Sequence, residues 1–496
     1  MRCPTACCPP KAETISRPPR PQRTERGRAV ITAANVVIEP IEYREPVAAF
    51  APLAREPYAM LLGGGSAGAQ SQFAYIACDP FAVIERKPGN NAPDPFADVR
   101  QALRTHRIAH DGRAFPAPFL GGAVGFAGYE IANDLERLPP RKAPAFPLDL
   151  AFGLYDAVAA FDLANKKAWI ISTGLPETDS IRQAARAKAR AQDLRGKLGM
   201  ETLPVPAPFT SAPWTADFTQ AVYQERIAAI IQRIRAGEIY QANMTQRWSA
   251  PWPEGLEPFA LYRRLRHTSA APFAAYLSLR TDMHIISASP ERFLSVDEKG
   301  RVETRPIKGT RPRGVSPEED RALAAELRAS PKDRAENLMI VDLLRNDISR
   351  VCVPGSVEVP TLCGLESFPA VHHLVSVVTG QLRPDATAVD LLSACFPGGS
   401  ITGAPKIQAM KTIHDLEPVA RGPYCGTVAW FGFDGAMDSS IVIRTLVRSG
   451  DTVAAQAGGG IVADSDPAQE YAESVLKAKP LLAALNGDGR FQCGSA

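Results

Sequence analysis

The sequence predicts an α+β fold built on antiparallel sheets. Two observations carry that prediction: short apolar strands come in adjacent runs rather than strictly alternating with helices, and a few strong helical periodicities stand between those runs. No internal repeat competes with this reading. With 496 residues, 45% hydrophobic and 22% charged, the chain is long enough for a large core or two packed halves.

Residues 1–34 read as a disordered, basic, Pro/Arg-rich tail. The first 28 positions hold seven Lys/Arg against two Asp/Glu, and they include Cys3, Cys7 and Cys8. The tail has no apolar run of signal-peptide type, and Ser16 is its single serine, which argues against a transit peptide. The formal net charge of +3 therefore sits in the tail, and the near-neutral body gives no electrostatic case for nucleic acid or an anionic membrane. No 18-residue apolar stretch occurs, so no span of a membrane is expected.

Residues 35–200 form a strand-rich amino-terminal region. Positions 157–161 and 168–172 flank an Asn165-Lys166-Lys167 turn and predict a hairpin, while the glycine-punctuated apolar run at 119–126 predicts close sheet packing. Residues 177–198 read as an exposed, Ala/Arg-rich helix. Pro204, Pro206, Pro208 and Pro213 mark residues 201–214 as a linker.

Residues 215–486 change texture. Residues 218–236 predict an amphipathic helix with Val222, Ile227, Ile230, Ile231 and Ile234 on its apolar face. Further helices are expected at about 333–350 and 467–485, with strands at 284–288, 427–433 and 441–447. Residues 487–496 are expected to be a flexible tail. Nine cysteines show no C-x-x-C spacing, and Cys78, Cys352, Cys363, Cys395 and Cys425 sit among apolar residues as small core side chains, which fits a reducing compartment, the cytoplasm.

Several constellations bear on chemistry. Asp333 and Glu336 stand three apart on one predicted helix, and Glu470 and Glu473 repeat that spacing on the last one, with Lys477 four beyond Glu473. Each pair taken alone has a structural explanation; Glu473 with Lys477 is an i,i+4 salt bridge worth about 0.3–0.5 kcal/mol. The alternative is a set of carboxylates gathered on a hard cation, which takes oxygen ligands and relieves their repulsion. Spacing leaves both open. Ala457-Gly458-Gly459-Gly460-Ile461, placed between a strand and the acidic helix, reads either as a backbone approach to a small anion or as a flexible turn. Gly63-Gly64-Gly65-Ser66 reads as a loop. Gly422-Pro423-Tyr424-Cys425-Gly426 lacks the spacing of a nucleophile elbow, so Cys425 is not expected to attack substrate. Arg444, after the β-like run 439–443, needs an anionic partner, either a ligand or a structural carboxylate.

In order, residues 237–241, Ser289-Pro290-Glu291, Pro306-Ile307-Lys308-Gly309-Thr310, 335–347, 397–406 and 457–477 resemble the chorismate-binding family. That family contains anthranilate synthase large subunits, aminodeoxychorismate synthases, and isochorismate and salicylate synthases. The likeness runs from about residue 218 to 485, and residues 75–80 and 128–130 resemble the family's more variable amino-terminal part. It implies an anthranilate synthase component I-like fold, with antiparallel sheets packed together and flanked by helices, and a chorismate-binding catalytic region at 215–486.

The resemblance also implies roles. Glu336 and Glu473 would ligate Mg2+, supported by Asp333 and Glu470, with the metal holding the ring carboxylate of chorismate. Arg444, Tyr424 and the backbone at Gly458 and Gly460 would hold the enolpyruvyl carboxylate. Thr310 matches a position near the ring carboxylate, His373 one beside the ring, and Lys477 one in the substrate site. Glu291 matches the acid that protonates the departing 4-hydroxyl.

Two positions separate family members. Isochorismate and salicylate synthases carry a water-activating lysine where this chain has Gln241, a neutral amide that cannot act as that base. Lys308 stands where anthranilate synthases usually have alanine and aminodeoxychorismate synthases have lysine. The resemblance thus implies a transferase that aminates chorismate at ring position 4, for para-aminobenzoate and folate synthesis. Ammonia would come from a separate glutamine amidotransferase subunit, since the chain is accounted for without a glutaminase domain. Anthranilate formation and a non-catalytic chorismate- or subunit-binding role are the alternatives. Where tryptophan-regulated relatives read Leu-Leu-Glu-Ser, this chain reads Leu61-Leu62-Gly63-Gly64, a departure that counts against tryptophan binding.

Overall fold

Gly122–Ala127, Leu150–Tyr155, Ala157–Asp162 and Thr427–Gly432 are buried at every position. Strands apolar on both faces belong to sheets covered on both sides. The computed structural model, which describes residues 31–32, 35–64, 71–90, 93–109, 113–199, 213–368 and 371–485, builds two such sheets. The tail up to residue 30, Pro204, Pro206 and Pro208 of the linker, Gly65-Ser66, and residues 486–496 lie outside the described residues.

One sheet has twelve strands and the other ten, and every pairing in both is antiparallel. Both sheets draw strands from either side of the linker. In the larger, Ala59–Leu62 pairs with Phe73–Ala77 on one side and Phe273–Arg280 on the other. In the smaller, Gly122–Ala127 lies between Thr427–Gly432 and Leu150–Tyr155. The expected hairpin is Ala157–Asp162 with Lys167–Ser172.

The sheets pack face to face. Tyr75, Val158, Leu277 and Ile285 of the larger meet Val124, Phe126, Val428 and Trp430 of the smaller in one apolar layer. The outer face of the larger sheet is covered by the helices Ser180–Lys197, Pro258–Thr268 and Pro467–Ala484 through Leu194, Leu261, Leu265 and Leu481. The smaller is covered by Pro331–Ser349 and Ala388–Cys395 through Val341, Ile348, Val389 and Leu392. The α+β expectation holds, as two sheets between helical layers. Among the described residues, no helix is long and apolar enough to cross a membrane.

The predicted apolar face of the first carboxyl-half helix holds: in Gln220–Arg235, Ile227, Ile230 and Ile231 pack against Met244, Ala409 and Ile461. Two local expectations change. The strand expected at 441–447 is two strands: Met437–Ile441 ends in the smaller sheet and Thr445–Ser449 begins in the larger. Arg444 is at the crossing with φ +52, not within a strand. A left-handed arginine costs energy and is held by its surroundings, which is common where function fixes a backbone. The glycine run, read as either an approach to a small anion or a flexible turn, is the end of the strand Thr452–Ile461.

Candidate active site

The glycine run lies in strand because its neighbour approaches too closely for a side chain. Gly458, Gly459 and Gly460 pair with Thr245, Met244 and Asn243 of Gln241–Pro251. A Cβ on Gly458 would stand 1.9 Å from the Met244 carbonyl oxygen. Gly458→Ala must therefore push the strands apart, and about 3 kcal/mol of stability should be lost in chemical denaturation; a wild-type midpoint would contradict this packing. Gly459 serves differently. The place its Cβ would take is 3.1 Å from Glu470 Oε2, 3.7 Å from Lys477 Nζ and 3.8 Å from Glu473 Oε1, so its bare backbone leaves room beside all three.

Those three side chains come from the helix Pro467–Ala484, started by Asp466, which accepts hydrogen bonds from the Ala468 and Gln469 N–H groups, and by Pro467 in its first turn. Lys477 does form the i,i+4 pair with Glu473, at 2.7 Å. It also donates to the Gly458 carbonyl at 2.9 Å, so it ties helix to strand. Ser465 donates to Glu470 at 2.7 Å.

The second acidic helix, Pro331–Ser349, is capped by Ser330, whose hydroxyl accepts from the Asp333 N–H. Asp333 also lies 3.4 Å from Arg311 Nη2. Glu336 accepts no hydrogen bond among the described residues. Burial raises its carboxyl, Asp333 and Glu473 push the same way, and Lys308 and Lys332 oppose. Burial and Glu473 likewise raise Glu470. Burial also acts to raise Glu473, but Lys477, Lys332 and Lys308 outweigh it and its carboxyl falls below the ordinary value. The two helices thus present mutually repelling oxygens to one place.

Among the described residues, the one set of three metal-type ligands within 4.8 Å of one another is Glu56, Cys78 and Asp79, where Asp79 is already engaged by Lys197. The acids of the two helices are spaced more widely. That suits an ion held by one or two carboxylates and its own waters, not a closed cage.

Lys308 lies on Ile307–Pro312, paired with Val371–Gln381. A bulge falls between Lys308, opposite Leu374, and Thr310, opposite His373, with Gly309 at φ +81. Thr310 Oγ1 is 2.9 Å from His373 Nδ1. Burial lowers His373, which favours a neutral ring. Lys308 is half-buried, and its ammonium is pushed below the ordinary lysine value by burial first and by Lys477, against the pull of Glu336, Glu291 and Glu473. This lysine is coupled to both acidic helices and to the candidate acid at once.

Glu291 follows the strand Met283–Ser289 at the junction of the sheets, where Ser289 Oγ donates to the Ile441 carbonyl at 2.6 Å. Burial raises its carboxyl, while a hydrogen bond from Ser400 and the charges of Lys308 and Lys477 act against that. Tyr424, 5% exposed, sits in a turn joined to the crossing by the Cys425 N–H to the Val442 carbonyl at 2.8 Å. Cys425 is buried, with its thiol pushed up to about 12, which opposes the thiolate that an attack would need. Arg444 has no carboxylate partner among the described residues. Burial lowers it, opposed by Tyr424 and Glu473, and among the described residues no structural ion pair answers its charge.

Sequence reading missed the brace behind these groups. The fully buried Arg421 donates to both Glu417 oxygens (2.6 and 2.9 Å), to Ile401 O at 3.0 Å and to Asn243 O at 2.8 Å. Glu417 also accepts from the Thr245 N–H and hydroxyl. Asn243 and Thr245 lie across from Gly460 and Gly458, and Ile401 is next to Ser400, so one ion pair supports three parts of the site. Nothing in the spacing of Glu417 and Arg421 announces this. Gln241, fully buried with neither amide atom paired among the described residues, has Nε2 2.6 Å from the place a Gly460 Cβ would occupy. A separate cavity of about 540 Å3 includes Leu62, Gly63, Phe273 and Trp430 in its wall, and none of the candidate residues lines it.

Residues 64–483 match the family model described as chorismate binding enzyme. Aminodeoxychorismate synthase component 1 of Klebsiella aerogenes is 41% identical over 450 residues, spanning 88% of this chain and 95% of that one. Anthranilate synthase component 1 of Bacillus caldotenax is 37% identical over 473 residues, spanning 89% and 91%. The crystal structure of anthranilate synthase component I from Streptococcus pneumoniae matches with a TM-score of 0.71 at 31% identity, covering 84% of this chain and 93% of its own. By these likenesses, and by the ordered motifs that meet at one site, the chain belongs to the chorismate-binding enzyme family.

Proposed function

We propose that this enzyme aminates chorismate at ring position 4 to give 4-amino-4-deoxychorismate, with Lys308 as nucleophile and Glu291 as acid. The observation that carries the reading is the setting of Lys308, whose ammonium is disfavoured by burial and feels the charges of Glu336, Glu291 and Glu473. A neutral amine is the attacking form. The lysine nitrogen bonds to ring position 2, the two ring double bonds shift, and the 4-hydroxyl leaves as water on a proton from Glu291. Ammonia then bonds at position 4, the double bonds shift back, and the lysine is released.

Arg444 and Tyr424 hold the enolpyruvyl carboxylate with the Gly458 and Gly460 backbone. Thr310 and His373 line the ring side, and Lys477 fixes the glycine strand to the acidic helix. Glu336 and Glu473 would ligate magnesium, supported by Asp333 and Glu470. Magnesium, when bound, supplies a hard cation for the ring carboxylate. Gln241 provides no base for water, which favours an amine as nucleophile. A separate glutamine amidotransferase subunit supplies the ammonia, a reading supported by the component 1 name of the Klebsiella relative.

Product identification tests the proposal: chorismate, magnesium and ammonium should yield 4-amino-4-deoxychorismate, while anthranilate with pyruvate would overturn it. Attack needs Lys308 neutral, which acid suppresses, and protonation of the leaving group needs Glu291 protonated, which alkali suppresses. A plot of kcat against pH should be a bell whose limbs lie closer together than ordinary carboxylate and lysine values would place them. A rate that climbs through the alkaline range with no falling limb would contradict these roles.

A further inference from the structure

We propose that Glu130, far upstream of the catalytic motifs, is a positioning residue that sets the substrate-binding turn carrying Tyr424. This rests on the reading that Tyr424 and Arg444 hold a carboxylate of chorismate. Glu130 lies in the short 3-10 turn Tyr129–Ile131, after a strand of the smaller sheet. Its two carboxylate oxygens accept from consecutive backbone groups, the Arg421 N–H at 2.7 Å and the Gly422 N–H at 2.8 Å. The neighbouring Tyr129 N–H donates to the Gly422 carbonyl at 2.8 Å, and the Tyr129 ring lies 4.6 Å from the Arg421 guanidinium.

Gly422 has φ +63, and Tyr424 follows two residues later. The far side of the turn is pinned by the Val442 N–H to the Gly426 carbonyl at 2.9 Å. Tyr424 therefore hangs between a clamp at Gly422, supplied by the amino-terminal region, and one at Gly426, supplied by the strand crossing that carries Arg444. Two parallel N–H donors require two acceptors. A carboxylate offers both, whereas an amide offers one and sets its own N–H2 against the other donor. Glu130→Gln keeps the size of the side chain and removes this match.

The test is a double-mutant cycle of Glu130→Gln with Tyr424→Phe, reading KM for chorismate, kcat and melting temperature. Each single variant should raise KM roughly tenfold, the scale of one hydrogen bond to a charged group, with kcat changed less than about threefold. In the Tyr424→Phe background, Glu130→Gln should add less than about threefold to KM, because its effect passes through that side chain. A wild-type KM for Glu130→Gln, or increases that multiply to about a hundredfold, would overturn the inference while leaving the role of Tyr424 intact. A wild-type KM for Tyr424→Phe would remove the reading of Tyr424 and this inference together. Should Glu130→Gln not fold, Glu130→Asp carries the same cycle, with its shorter carboxylate expected to raise KM in the same non-additive way.

Discussion

Replacing Lys308 with methionine should lower the rate of 4-amination by about 10³-fold, the scale set by a positioned reacting group, while KM for chorismate changes little. Methionine keeps the length of the side chain and its packing on the bulged strand but has no amine. Lys308→Arg separates two explanations of such a loss. Arginine retains the positive charge beside Glu336 and Glu291, yet its guanidinium stays protonated and cannot attack. If Lys308 acts as a nucleophile, both variants fail alike; if it only supplies charge, arginine restores most of the rate. Product-resolved assays with ammonium measure this directly, and an arginine variant within about tenfold of wild type would exclude the covalent role.

Glu336→Gln should raise the magnesium concentration for half-maximal activity by roughly a hundredfold and weaken magnesium binding, read by calorimetry on the substrate-free protein, to the same degree. Its effect on the metal-free protein has the opposite sign. Burial and two neighbouring carboxylates raise the Glu336 value in the fold, so the stability this group contributes is fully present below the ordinary carboxylate pKa and is lost as pH rises through the raised value. Glutamine does not ionise and avoids that loss. Metal-free Glu336→Gln should therefore melt no lower than wild type at neutral pH, and magnesium should no longer raise its melting temperature. Unchanged magnesium binding would take Glu336 out of the metal site.

The parts of this molecule legible in sequence were those with a period or a motif. Ile227, Ile230 and Ile231 announce a helix face through spacing, and the same face packs on Met244 and Ile461. The acidic pairs were legible as pairs but not as partners, since the approach of the two helices is set by sheets whose strands come from both sides of the linker. Gly458 reads as a turn or an anion loop because glycine signals either; its place in a strand follows from the Met244 carbonyl, a neighbour distant in sequence. Arg444 reads as a strand residue because Ile441, Val442 and Ile443 precede it, yet the chain leaves one sheet for the other there. Arg421, Glu417 and Glu130 were not legible as site residues, because Arg421 and Glu417 pair with each other and all three reach the site through backbone groups, which carry no sequence signal.

A bond between Lys308 and the substrate is what separates a covalent role from a purely electrostatic one. Intact-protein mass spectrometry of enzyme quenched soon after mixing with chorismate and magnesium, without ammonium, tests that most directly. The predicted result is a population heavier by chorismate less one water, mapped by digestion to Lys308 and absent from Lys308→Met. Protein that stays unmodified at every quench time, in a sample that forms 4-amino-4-deoxychorismate at full rate once ammonium is added, would contradict it.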